Sequence, residues 1–158
     1  MLLRILTLPA EQPGRVLLSA MPGRLDPWPQ CLAALQAASV GLIVCLNPLD
    51  EVAEVSPAYY AAIAAQSMPC RWLHVPMRNF GVADQADAFQ SGVEQIVRAL
   101  ARDETVLIHC AAGMGRTGSM AACVLKRLGS TREQALASVR LAGSNPESAA
   151  QSGLIDRF

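Results

Sequence analysis

The chain lacks the residues that mark several large classes of protein. Only two histidines occur among 158 residues, and the five cysteines (Cys31, Cys45, Cys70, Cys110 and Cys123) include no C-x-x-C pair. No ligand set at zinc spacing results, so a zinc site is not expected. An odd, scattered set of thiols is no disulfide framework either, and a reducing, cytoplasmic setting is the simplest one. Charge is scarce at 16% of residues, and it cancels at thirteen basic against thirteen acidic. That leaves no overall field to gather nucleic acid or an anionic membrane, although a balanced total hides local asymmetry. No apolar run is long enough to span a bilayer. Pro9, Glu11 and Pro13 cut the opening apolar stretch too short for a secretion signal, so it reads as a strand.

What remains is apolar: 52% of residues are hydrophobic, enough to bury a core in one domain spanning 1–158. "RVLLSAMPG" reads as a strand stopped by a Pro-Gly turn, and 28–38 carries apolar residues at helical spacing. "GLIVCLN" is a continuous apolar run of the kind a buried parallel strand needs. Ser56 and Pro57 open a helix as N-cap and first helical residue, and "RWLHV" is the next strand. Val93, Ile96, Val97 and Leu100 share one helix face, and "TVLIH" is a fourth buried run. A helix over 116–128 ends at Gly129, Ser130 and Glu133 form a capping box for the next helix, and "PESAAQSGLIDRF" reads as a last one. Alternating strands and helices predict an α/β fold, a three-layer sandwich whose mainly parallel central sheet is flanked by helices.

One stretch carries the chemistry. "IHCAAGMGRTG", residues 108–118, runs from a strand through a glycine-punctuated loop into a helix. In that layout backbone N–H groups converge on a bound anion, and the helix start adds its positive end. Gly113 and Gly115 can adopt positive φ, which lets successive amides point inward. The same environment favours a thiolate, expected at Cys110. Arg116 offers a planar two-pronged contact to phosphate oxygens, and the Thr117 hydroxyl can donate to the sulfur. His109 is expected to orient the cysteine backbone. The other four cysteines read as buried small hydrophobes.

His109-Cys110, Gly113 and Arg116-Thr117 resemble the H-C-x-x-G-x-x-R-[ST] signature of the cysteine-dependent protein tyrosine phosphatases. The run "HCAAGMGRTG" is most similar to their compact dual-specificity branch. The resemblance implies a metal-independent, cofactor-free hydrolysis of phosphomonoesters through a phosphocysteine on Cys110. Arg116 and the amides of Ala111, Ala112, Gly113, Met114 and Gly115 would hold the phosphoryl oxygens. The partner is a phosphorylated protein or a small phosphomonoester, and the oligomeric state is left open.

The pattern breaks at the proton donor. The family places an aspartate in a P-I-x-D-x-G-x-P loop about thirty residues before the cysteine. This chain has "PMRNFGVAD", so Asn79 holds that position, and asparagine has no acidic proton near neutral pH. Asp84 or Asp87 can supply the acid, or stable leaving groups can make one unnecessary, or the chain binds phosphorylated ligands with weak turnover. Asp84 also reads as the N-cap of the following helix. Gln151 looks like the family glutamine that positions the hydrolytic water, and reads equally as an exposed helix residue. Ala111, Ala112 and Met114 put no cation in the loop, which argues against multiply phosphorylated inositol lipids, with Arg78 as the nearest substitute. A rhodanese-like sulfurtransferase also uses a cysteine loop, but without the flanking His-Cys and Arg-Thr pairs.

Overall fold

Five strands and six helices alternate along the chain in a computed structural model that describes residues 1–9, 11–77, 86–145, 153 and 155–158. The strands are β1 (Arg4–Leu6), β2 (Arg15–Ala20), β3 (Val40–Cys45), β4 (Arg71–His74) and β5 (Thr105–Cys110). The helices are α1 (Trp28–Ala37), α2 (Leu49–Val55), α3 (Pro57–Ala64), α4 (Ala86–Ala101), α5 (Gly115–Arg127) and α6 (Arg132–Leu141). The sheet order is β1-β2-β5-β3-β4, antiparallel only between β1 and β2 and parallel elsewhere. The predicted sandwich is the observed fold.

Strand side chains alternate between faces, and the two faces bury different helices. Val16, Leu18, Leu42, Val44, Val106 and Ile108 point toward α4, α5 and α6, meeting Phe89, Val93, Ile96, Leu100, Met120 and Val139. Leu17, Ile43 and Leu107 point the other way, onto Leu35 of α1. Each such side chain taken fully out of water contributes about 1.5–3 kcal/mol, so the sheet with its central strand β5 is the stable platform. All six β5 residues are buried.

Three local expectations need correction. Helix α3 does start at Pro57 after Ser56, but the Ser56 hydroxyl makes no capping bond and is buried without a partner. The capping box of α6 sits one residue later than read: Thr131 Oγ1 accepts from Gln134 N at 3.2 Å, and Thr131 N donates to Gln134 Oε1 at 2.9 Å. Both S/T-x-x-E/Q frames exist in "STREQ", and the structure uses the second. Cys70 is half-buried rather than core, whereas Cys31, Cys45 and Cys123 are buried. Helix α2 has no counterpart in the sequence reading. The predicted last helix lies largely outside the described residues. Among the described residues no helix is long and apolar enough to cross a membrane.

Candidate active site

Strand β5 ends at Cys110 in the middle of the sheet, with Ala20 of β2 as its Cα partner. Residues Ala111 to Met114 then turn the chain into α5, which begins at Gly115. The N–H groups in the first turn of a helix have no intrahelical acceptor, so they face whatever lies at the loop. Cys110 sits at the base, 3% exposed, and Thr117 Oγ1 donates to its Sγ at 3.1 Å. The loop needs glycine at 113. Its φ is +73°, and a Cβ there would stand 2.4 Å from the Ser19 carbonyl oxygen. Gly115 is not at positive φ; it starts α5 as ordinary helix, because one left-handed residue already completes the turn. Gly118 serves packing instead, since a Cβ on it would come within 2.9 Å of the Asn145 backbone.

Arg116 is 2% exposed, so its charge needs partners. Its Nη1 donates to Glu51 Oε2 at 2.7 Å and to the Met77 carbonyl at 2.9 Å, and its Nη2 donates to Glu51 Oε1 at 2.7 Å. Burial is the largest single influence and opposes the charge, but the Glu51 hydrogen bonds and the charges of Cys110 and Glu51 together outweigh it, so the guanidinium pKa is raised. Hydrogen bonding from Arg116 in turn holds Glu51 below the usual carboxylate range, against the opposing effect of burial. A guanidinium has five N–H donors in a fixed fork. Glu51 takes the end-on pair and Met77 the outer Nη1 proton. Among the described residues nothing accepts from the side-on pair, Nε–H and the second Nη2–H, which suits a two-pronged contact to a tetrahedral anion.

His109 lies on the opposite sheet face from Cys110 and is fully buried. Trp72 Nε1–H donates to the Tyr59 hydroxyl oxygen at 2.9 Å. The Tyr59 proton is therefore free to donate to His109 Nε2, also at 2.9 Å. With Tyr59 at Nε2 and no partner for Nδ1 among the described residues, nothing stabilises a second ring proton, and the imidazole stays neutral. Burial, only partly offset by the Cys110 backbone, pushes the His109 pKa down to about 3. This residue moves no protons near neutrality; it is a rigid support beneath the loop.

The family model described as "Polymorphic toxin system, DSP-PTPase phosphatase" matches residues 19–130. The chain belongs to this phosphatase family. The fold agrees with solved structures of related enzymes. One is a kinase associated phosphatase with serine in place of its catalytic-site cysteine: TM-score 0.86, 21% identity, 100% of this chain and 93% of that one. Another is Tk-PTP in its active form: TM-score 0.73, 23% identity, 98% and 95% covered. A third is PTPMT1 in complex with PI(5)P: TM-score 0.74, 18% identity, 90% and 88% covered. The family is that of the tyrosine/dual-specificity phosphatases, whose members hydrolyse phosphomonoesters.

Within the phosphatase, the residues read from the signature come together around one loop. Gly113, Gly115, Arg116 and Thr117 are buried, Ala111 is half-buried, and Ala112 and Met114 are exposed at the rim. Asn79, Asp84 and Gln151 lie outside the described residues, as does Arg78; Asp87 is exposed in the first turn of α4. Sequence reading missed Glu51, Tyr59 and Trp72. Glu51 rides on the unread α2, whose only signal was "PLDE", a proline followed by acids suited to a helix start. Tyr59 and Trp72 carry no local signal that sets them apart from other aromatics.

Proposed function

We propose that the phosphatase hydrolyses aryl phosphates of the phosphotyrosine type on proteins, through a phosphocysteine on Cys110. The observation that supports this reading is the side-on edge of Arg116, without an acceptor among the described residues and next in sequence to the Thr117 hydroxyl that donates to the Cys110 sulfur. The sulfur attacks phosphorus, an S–P bond forms and the P–O ester bond breaks. Arg116 and the loop amides take the charge on the equatorial oxygens. Water then cleaves the S–P bond and releases phosphate, while the Thr117 hydrogen bond stabilises the departing sulfur.

The leaving group decides the substrate. With Asn79 where the family carries its acid, the ester oxygen leaves without a ready proton. A general acid is worth about 10²–10⁴ in rate. That loss bears least on a phenol, whose pKa is near 10. Asn79 also supports a second reading, a phospho-ligand-binding protein with weak turnover.

The test compares phosphotyrosine and phosphoserine peptides on the native chain and on Cys110→Ser, Asn79→Asp and Asp84→Asn. Phosphotyrosine turnover at least about a hundredfold above phosphoserine, abolished in Cys110→Ser and raised in Asn79→Asp, is the expected pattern. A collapse confined to Asp84→Asn assigns the acid to Asp84. Equal turnover of the two peptides overturns the aryl preference, and saturable phosphopeptide binding without turnover establishes the second reading.

A further inference from the structure

A loop that turns its N–H groups inward must send its carbonyls outward, because the two point oppositely across each peptide plane. Buried carbonyls need donors, and the source of those donors separates two sets here. Two are supplied locally: Met114 O accepts from Gly118 N at 2.7 Å, and Gly115 O accepts from Ser119 Oγ at 3.1 Å. The other two are supplied from far away, and each receives a cation. Ala111 O accepts from Met21 N at 3.2 Å and from Arg24 Nη1 at 2.7 Å. Gly113 O accepts from Ser144 Oγ and from Arg4 Nη2. The second prong of Arg4 goes to the Gly143 carbonyl, tying the loop to the turn after α6.

We propose that Arg4 and Arg24 are positioning residues that hold the loop open for anions and strengthen its donors from behind. The inference rests on the phosphatase reading of this loop and adds two residues that its signature does not contain. Arg4 even lies outside the span matched by the family model, 19–130.

The physical effect runs through two peptide units. A cation on the Ala111 oxygen draws density from the amide whose N–H belongs to Ala112. A cation on the Gly113 oxygen does the same to the N–H of Met114. Hydrogen bonds polarised in series strengthen one another, and charge-assisted ones are about twice as strong as neutral ones. The same contacts fix the peptide planes, so the loop does not have to reorganise when the anion arrives. Arg4 also lies close enough to Cys110 for the sulfur to favour its charge, although burial lowers the Arg4 pKa by more. The two cations therefore add to the field of a loop that has no basic residue before Arg116.

The experiment measures tungstate binding by calorimetry, together with kcat, KM and the thermal midpoint on an aryl phosphate, for the native chain, Arg4→Met, Arg4→Lys and Arg24→Met. Each methionine variant keeps an apolar stem and loses the charge. Each is expected to bind tungstate about tenfold more weakly, the value of one charged hydrogen bond. Arg4→Lys is expected to recover most of that loss. Arg24 is exposed, so its variant carries the test if Arg4→Met does not fold. Unchanged tungstate affinity with only a lowered thermal midpoint overturns the proposal, as does a lysine no better than methionine. A native chain that binds no oxyanion overturns the phosphatase reading as well, which separates the two failures.

Discussion

The loop from Ile108 to Gly118 and the framework that holds it make opposite demands on sequence. The expected nucleophile, the expected phosphate clamp and the loop amides all lie within that one short stretch. Beyond the local bonds of Thr117 and Ser119, the side chains that restrain it come from elsewhere: Tyr59 is 50 residues from His109, Glu51 is 65 from Arg116, Arg24 is 87 from Ala111, and Arg4 is 109 from Gly113. The difference teaches where such a site keeps its precision. The reacting groups can be compact in sequence because strand, turn and helix geometry present them together. Their rigidity cannot be, because a loop of small residues has nothing of its own to lean on.

The sharpest way to break that comparison is at Glu51. If the distant framework sets the direction of Arg116, Glu51→Gln keeps the shape but loses the charge, and kcat/KM falls about a hundredfold, the scale of a misplaced catalytic group. Steady-state kinetics on an aryl phosphate reads this directly. A native-like kcat/KM means that the loop orients its own arginine.

Acid stability probes the other face of β5. His109 has a folded pKa of about 3 against an ordinary 6.5, so its contribution is fully present above pH 6.5 and is lost as pH falls toward 3. The slope approaches about 1.4 kcal/mol per pH unit in that window. Glu51, also depressed, adds a loss only below its ordinary 4.5. Urea unfolding across pH 3–7 should show the slope, and His109→Gln should remove its upper part. A native chain with flat stability from pH 6.5 to 5 contradicts a neutral, buried imidazole. The smallest effect expected is on thiol labelling. Burial pushes Cys45 and Cys123 up to about 12, so a maleimide at neutral pH should leave both unmodified until the chain is unfolded. Register adds that Cys45 pairs with His109, on the face opposite Cys110, so the two sulfurs are not placed to form a disulfide.

Much of the fold was legible because its signals are periodic and redundant. β3 is a continuous apolar run and β5 is apolar through Val106, Leu107 and Ile108, and α4 repeats its apolar face at Val93, Ile96 and Leu100. Where a single residue had to decide, reading was less secure. "STREQ" offers two capping frames and only the backbone path selects Thr131. Ser56 stands where a cap belongs, yet its φ of −145° and ψ of 79° leave the hydroxyl without that bond. Helix α2 is seven residues long, below the length at which periodicity speaks, and so Glu51 went unread with it.

The amino-acid order alone determined the sheet-forming runs, the loop that joins Cys110 to Arg116, and the absence of an acid at Asn79, since each depends on neighbours a few residues apart. Tertiary structure decided which carboxylate faces Arg116, which phenol faces His109, and which cations close the loop carbonyls. Those choices are long-range: they follow from strand order and packing, which bring together groups that nothing in their local sequence connects.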